Sequence, residues 1–318
     1  MRKGIIVLIS ALAISVMFMF LGDIDVSSQA IKVRIGHTIS QAALPLFVAL
    51  DKGYFKELNI EVERINFNQP GPMLEALATG RIDIACGYNM VDGFLLEQRS
   101  GGKMKIFVLS KSHPGGGLCL IAGEGSGIEK LQDFKGKRIG IPRGAVGAVC
   151  IRLLFSDYFD ISTDLDLKPL HFRDMLEALK TGVIDGILVP EPIRTVAIKK
   201  KIGRVIVSEV FNKTILKDSY KGVSSFASSF IKRYPELALE IKSVFSKAIE
   251  DIRRNPEGAS RLLPLYTRIP ENIIEDIKML SFFSADEADL HHLQLFAVRL
   301  KELGIIKKEI DAKQMLFK

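Results

Sequence analysis

The chain has 318 residues, with 44 Lys and Arg against 37 Asp and Glu for a net charge of +7, 47% hydrophobic residues, three Cys and no Trp. That length and apolar content suit one large domain or two of roughly 100–150 residues each, and they exclude a disordered chain, a collagen-like fibre and a disulfide scaffold. The basic residues are scattered, and the run Lys199-Lys200-Lys201 reads as a solvated face rather than a nucleic-acid footprint.

Arg2 and Lys3 precede an uncharged apolar run from Ile5 to Leu21, followed by a polar stretch that ends Ser28-Gln29-Ala30. Basic, then apolar, then small residues at −3 and −1 is the order of a secretory signal, here residues 1–30. The apolar run is also at the short limit of a spanning helix, so an uncleaved anchor is the alternative. No Cys lies near its end to take a lipid. The protein is therefore expected in a periplasmic or extracytoplasmic space, touching membrane only through this segment.

Val33–Ile35 has apolar residues at alternate positions and is stopped by Gly36, which suits a strand. The loop Thr38-Ile39-Ser40-Gln41 leads into an apolar helix over Leu44–Leu50, with Ser40 as N-cap, Pro45 in the first turns and Gly53 past the end. A strand over Ile60–Phe67, the loop Asn68-Gln69-Pro70-Gly71, a helix closed by Thr79-Gly80 and a third strand running into Gly87-Tyr88-Asn89 complete the unit. Gly115-Gly116-Gly117 then forms a flexible link into Leu118–Ala122.

The same unit recurs. Residues 73–83 read MLEALATGRID and residues 175–185 read MLEALKTGVID, nine identities in eleven at an offset of 102. Arg34-Ile35-Gly36 returns as Arg138-Ile139-Gly140, followed by a helix over Val146–Phe155 and a strand-like Leu165–Phe172. Asp174 precedes the second helix as its cap, and Thr181-Gly182 closes it. Strands separated by helices imply parallel pairing with right-handed crossovers, hence an α/β fold in which each half is a mostly parallel sheet. A return crossing near Gly222–Ala227 and helices over Glu236–Arg254, Pro270–Leu280 and Asp286–Leu303 finish the chain. The halves are read as residues 31–118 with 222–318, and residues 119–221.

In open parallel sheets, ligands bind outside the carboxyl ends of the strands. The candidate binding residues are therefore Thr38, Ser40, Gln41, Gln69, Gly71, Tyr88 and Asn89 from the first half, and Arg143, Gly144, Ala145 and Glu191 from the second. Arg143-Gly144-Ala145 opens a helix, where backbone N–H groups and the guanidinium suit a carboxylate, sulfonate or phosphate; the alternative is a surface Arg beside a turn. Ser40 either caps its helix or also donates to the ligand. Tyr88 either lines the pocket or belongs to a turn. Glu191, between Pro190 and Pro192, either meets an ammonium group or caps the following helix. Asp83 and Asp185 serve the turns that follow the repeat helices. Cys86, Cys119 and Cys150 have no CxxC spacing and read as buried thiols, one pair being oxidisable in an exported protein. The five His show no metal-ligand spacing, His37 reading as structural beside the first loop. No nucleophile motif, phosphate loop or dinucleotide fingerprint occurs, so neither a metal nor a cofactor is expected.

With these features in view, the chain resembles the periplasmic solute-binding proteins of ABC importers, in the nitrate/sulfonate/taurine-binding branch that also includes thiamine-precursor binders. The residues that carry the resemblance are Pro45 through Lys52-Gly53-Tyr54-Phe55, Ile60-Glu61-Val62, Ala76–Gly80 with Ile82-Asp83-Ile84, Leu131 to Gly140, Gly182 to Asp185, and Glu191-Pro192. It extends over the whole chain after the signal. It implies a two-lobed type II binding-protein fold, a monomer that closes on a small anionic or zwitterionic molecule such as a sulfonate, nitrate or taurine, and an ABC permease as partner. Two departures leave the ligand open: Asn68-Gln69-Pro70-Gly71 stands where sulfonate and nitrate binders show a Gly-Ser type loop, and Gly87-Tyr88-Asn89 where they carry a small or acidic turn. The resemblance also reaches menaquinone-pathway enzymes and thiamine-pyrimidine synthases, the latter using a Cys-rich segment that this chain lacks. An enzyme on the same fold and an extracytoplasmic ligand sensor are the alternatives.

Overall fold

A computed structural model describes residues 30–318 except Gly144 and Arg268; the export signal falls outside the described residues. Among the described residues, eleven strands form two sheets. The first contains β1 (Ile31–Thr38), β2 (Ile60–Phe67), β3 (Ile84–Asn89), β4 (Met104–Ser112), β10 (Gly222–Ala227) and β11 (Leu280–Ser284), in the order β11-β4-β10-β3-β1-β2. The second contains β5 (Cys119–Gly123), β6 (Arg138–Pro142), β7 (Asp166–Leu170), β8 (Gly186–Val189) and β9 (Gly203–Val207), in the order β7-β6-β8-β5-β9. Read from β2 and apart from β11, the first order matches the second position by position. Read so, the fourth place in each sheet is taken by a strand that follows a crossing, β10 in the first and β5 in the second.

That insertion corrects the expectation of mostly parallel sheets. β1–β3, β6–β7 and β6–β8 are parallel, but β10 runs antiparallel to β3 and β4, and β5 runs antiparallel to β8 and β9. Residues 222–227, expected as a crossing, are thus a central strand. The return crossing lies earlier, in the segment that carries α7 (Val210–Thr214).

The other helices that matter here are α1 (Leu44–Asp51), α2 (Pro70–Ala78), α3 (Met90–Ser100), α4 (Ala145–Phe155), α5 (Phe172–Lys180), α6 (Ile193–Lys199), α8 (Pro235–Arg254) and α9 (Leu290–Glu302). The N-cap of α5 is His171 rather than Asp174, which sits inside the first turn. Of the C-terminal helices, Pro270–Leu280 is replaced by a 3-10 segment, Glu271–Asp276, and by β11. Pairing of β11 along β4 and the alternate burial of Phe282 and Ser284 override the helical spacing read from the sequence. α8 packs on the first sheet through Phe245 against Phe107 of β4 (ring centroids 4.8 Å), and α9 packs on α3 through Phe296 against Phe94 (5.7 Å). Lys199 leaves the solvated run to pair with Asp276 and to donate 3.1 Å to the Asn272 carbonyl.

Period-two alternation makes the second sheet two-sided. Leu120, Ala122 and Leu188 join the core shared with the first sheet, whereas Cys119, Ile121, Ile187 and Val189 join Met175, Leu179 and Ile184 in a second cluster. All three cysteines are free and buried.

The repeat is explained by one construction made twice. The Arg34 amide and guanidinium bond Asp83 (N to Oδ2 2.9 Å, Nε to Oδ2 3.0 Å, Nη2 to Oδ1 2.7 Å), and Nη2 also donates 2.9 Å to the Gly80 carbonyl. Arg138 does the same to Asp185 (2.8, 2.9 and 3.0 Å) and to the Gly182 carbonyl at 2.8 Å. Beneath each clasp a glycine admits the helix-to-strand turn: a Cβ on Gly36 would lie 2.6 Å from Ile82 Cδ1 and 2.9 Å from Phe67 Cε2, and one on Gly140 2.7 Å from Ile184 Cδ1. Gly36→Ala should therefore lower stability by about 1–3 kcal/mol through overpacking, and Gly140→Ala by less. Chemical denaturation of the two variants checks both values and their order.

Candidate functional site

The loops that leave the two sheets converge on a cavity of about 410 Å³. Its walls come from the segments after β1, β2, β3 and β4 on one side, and after β6, β7 and β8 on the other, with Lys221 and Gly222 at the start of β10. The two crossings lie together beside it. Gly115 N donates 2.9 Å to Glu209 Oε1, and Val210 N donates 2.7 Å to the Leu118 carbonyl.

At the end of β1, Thr38 donates 2.5 Å to the Gly87 carbonyl and is spent on joining two loops; it does not reach the wall. Ser40 borders the cavity and caps the 3-10 turn Gln41–Ala43, its Oγ accepting from Ala42 N at 3.2 Å. Gln41 is 6% exposed; its Nε2 donates 3.4 Å to the Lys278 carbonyl, and its Oε1 has no partner. His37 is buried edge-on against Phe47, 5.3 Å between centroids, and burial lowers its pKa.

Gln69 and Gly71 line the cavity at the start of α2. Gln69 Nε2 donates 3.1 Å to His171 Nδ1. These two residues are the N-caps of the repeat helices α2 and α5 and occupy equivalent positions, separated by the same 102 residues as the repeat itself. Pro70 and Pro72 take two of the first three N–H groups out of α2, so α2 offers an anion less than its position suggests.

After β3, Tyr88 borders the cavity, but its side chain turns into the core: its hydroxyl lies 3.1 Å from Met104 Sδ and bonds Ser225 Oγ, and burial raises its pKa. Asn89 caps α3, accepting from Val91 N at 2.8 Å. In the second sheet Arg143 borders the cavity, exposed and without an ion pair or hydrogen bond among the described residues, at the mouth of α4. Ala145 opens that helix; Gly144 falls outside the described residues. Glu191 is at the wall, yet its buried carboxylate accepts from Arg194 Nη1 (2.9 Å), Thr195 Oγ1 (2.7 Å) and Thr195 N (3.2 Å). These bonds tie Glu191 to the first turn of α6, whose N-cap is Pro192.

Two charged residues at the wall were missed. Lys221 is partly buried, with Nζ 2.5 Å from Asn212 Oδ1, 2.8 Å from Ser219 Oγ and 3.9 Å from the centre of the Phe211 ring, and no carboxylate within ion-pair reach among the described residues. Burial without a counter-ion lowers its pKa to about 7. Asp92, in the first turn of α3, has no hydrogen-bond partner among the described residues, and burial pushes it up to about 6 against a weaker pull from Arg99. The signals were a lone Lys ahead of the apolar run GVSSFA and a lone acid inside MVDGFLL. Among the described residues no group of His, Cys, Asp and Glu is placed to hold a metal ion, and no described helix is long and apolar enough to cross a membrane.

Residues 27–260 match the model of the NMT1-like family. The chain belongs to that family. The fold is that of the two-lobed periplasmic binding proteins: the aliphatic sulphonate binding protein SsuA of Escherichia coli superimposes with a TM-score of 0.71 at 16% identity, over 90% of this chain and 92% of that one. Curated relatives include the nitrate import ATP-binding protein NrtC of a Synechocystis strain, 26% identical over 71% of this chain and 36% of that protein. The 4-amino-5-hydroxymethyl-2-methylpyrimidine phosphate synthase of Uromyces fabae is 28% identical over 55% of this chain and 50% of that protein. The chain thus spans half or less of the length of these two relatives.

Lys221 gives the site a measurable pH signature. Below pH 7 its ammonium is charged in both folded and unfolded chains, and the folded state bears the full cost of burying it. Between pH 7 and 10.5 the folded amine is neutral while the unfolded one is still protonated, so stability rises with pH. Ligand-free Lys221→Met should therefore be more stable than the parent by on the order of 2 kcal/mol at pH 6. That advantage should fade towards pH 10, as paired denaturation curves would record.

Proposed function

We propose that this protein is an extracytoplasmic solute receptor, which captures a small anionic or zwitterionic organic molecule between its two lobes and delivers it to the permease of an ABC importer. One observation carries the reading: a cavity of the volume of a small organic molecule, walled by loops from both sheets, with a guanidinium, Arg143, unpaired among the described residues, at the mouth of a helix. A ligand held by loops of both sheets favours the form in which those loops are closest, and the permease reads that form. The hydrogen-bonded crossings at Gly115–Glu209 and Leu118–Val210 suit a hinge, because two bound segments bend as one. The likeness to a sulphonate-binding protein and to a nitrate import protein supports an importer partner, and the basic and apolar start of the chain supports export. A monomer is expected.

A second reading is an enzyme on the same fold. It rests on the synthase relative and on Lys221, whose amine, brought to about 7 in the cavity, has the basicity that proton transfer or covalent catalysis uses. Recovery of the ligand separates the two, since a receptor returns it unchanged and an enzyme consumes it.

Calorimetric titration of residues 31–318 with alkyl sulfonates, nitrate, carboxylates and amino-substituted members of each class tests the proposal. One chemical class should bind, compact the protein in small-angle scattering and be recovered intact. Arg143→Ala should weaken that binding by about 1.5–3 kcal/mol, the range of a charge-assisted hydrogen bond. Unchanged affinity removes Arg143 from the site, and binding without compaction removes closure.

A further inference from the structure

Basic residues that are scattered along the sequence are gathered by the fold. β3 and β4 both run antiparallel to β10, and β1 runs parallel to β3, so β1, β3 and β4 start from one end of the first sheet. Their far ends carry the cavity loops, which puts this starting end away from the cavity. Arg99 stands at the foot of α3, and Lys103 lies in the turn into β4. The short helix Ser228–Arg233, which carries Lys232 and Arg233, is tied to the same turn, Ser228 N donating 3.0 Å to the Lys103 carbonyl. Lys307 N and Lys308 N both donate to Gln98 Oε1, the second over 3.2 Å, so the C-terminal segment joins the group.

All six of these side chains are exposed, and none is in an ion pair among the described residues. The acids nearest them in sequence are engaged elsewhere: Glu97 Oε1 accepts from Gly102 N at 2.8 Å, and Glu309 accepts from Lys301 Nζ at 2.6 Å. Residues 97–105, 228–236 and 305–318 together hold nine Lys and Arg side chains against four Asp and Glu, and so supply +5 of the chain's +7. Beside them Tyr234 is 40% exposed, with the Arg233 guanidinium 6.0 Å from its ring centre, and Leu239 in the first turns of α8 is 52% exposed. Unpaired cations spread over one face suit anionic headgroups, and an exposed Tyr among them suits the interfacial layer of a bilayer.

We propose that this face docks the protein on a bilayer that contains anionic phospholipid. The start of the chain selects that occupant. The apolar run Ile5–Leu21 is followed by only nine residues, 22–30, before β1 begins. Nine residues span at most about 30 Å, and β1 begins at the basic end of its sheet, so a run retained in a membrane keeps this end within that distance of the bilayer. Once the run is removed, the charges alone supply an attachment that is reversible and screened by salt. In the docked pose the cavity opens away from the bilayer, towards the solute. The sequence gives membrane contact to the N-terminal segment alone; the fold adds a second contact, and that addition goes beyond the receptor reading.

The test is sedimentation of residues 31–318, which hold both sheets and both hydrophobic clusters, with vesicles of phosphatidylcholine alone and of phosphatidylcholine mixed with phosphatidylglycerol. Partitioning onto the mixed vesicles should be about tenfold stronger or more, and it should fall as salt is raised. The double variant Lys232→Gln/Arg233→Gln should lose about twentyfold, each charge being worth about fivefold at an anionic surface. Lys200→Gln/Lys201→Gln makes the same change of charge on the exposed run of the other half and should leave partitioning unaltered; both variants are first checked for cooperative unfolding. Equal binding to the two kinds of vesicle, or binding to neither, overturns the proposal. Equal losses in the two double variants overturn the assignment to this face. Binding to polyglutamate without binding to vesicles gives the face to an acidic protein instead and overturns the membrane. Each of these results leaves the receptor reading to its own titration.

Discussion

Each half of this molecule is pinned by a single guanidinium that reaches from the first strand of the unit to the turn before the third. Arg34 and Asp83 exchange backbone as well as side-chain bonds, since Asp83 N also donates 2.9 Å to the Arg34 carbonyl, and Asp185 N repeats this to Arg138 at 2.8 Å. The pair is partly exposed in both copies, 35% and 13% for Arg34 and Asp83, so its Coulomb energy in water is modest. Its value is geometric. A bidentate fork plus two main-chain bonds allows one register only, and that register sets the parallel ladder beside it, the depth at which the repeat helix docks and therefore where the loops at the far end of each strand emerge. Neither clasp touches the cavity, yet the placement of Gln41, Asp92 and Arg143 follows from them.

The cavity itself is built at an energetic cost that the empty protein carries alone. A lysine is held among an amide, a hydroxyl and an aromatic face, a carboxyl is drawn up by burial, and an amide oxygen faces no donor. Each of these raises the free energy of the unliganded state. A solute that supplies the missing charges and donors recovers that energy on binding, so the polar misfits of the empty site are a source of affinity rather than a flaw. Glu191 and Tyr88 show the contrast: both sit at the wall, and both are bonded within the protein.

Much of this was written in the primary structure because it was written twice. The duplicated segment ending in Thr-Gly and Ile-Asp disclosed the unit, the α/β class and the loops at its binding end, and each strand and helix of the unit lies within a few residues of where the pattern put it. What the repeat could not disclose lies outside it. Lys221 and Asp92 have no counterpart in a motif; their importance arises from a crossing strand and a helix turn that only the folded chain brings to one wall. β11 was hidden because Leu280–Ser284 extends only when β4 offers it an edge, and the antiparallel β5 and β10 were hidden because the direction in which a strand runs after a crossing is a property of the whole topology.

The contact between Gln69 and His171 has the geometry of two copies meeting on their own dyad. In an isologous dimer the residue that lies on the symmetry axis touches its own image, and both partners are obliged to be identical. Here equivalent positions face each other in the same way, but within one polypeptide, and one has become Gln while the other has become His. Within one polypeptide that identity constraint does not apply. The consequence is directional: two identical walls would suit a solute with two identical ends, whereas the halves of this chain meet through unlike residues, and a solute between them meets two different walls.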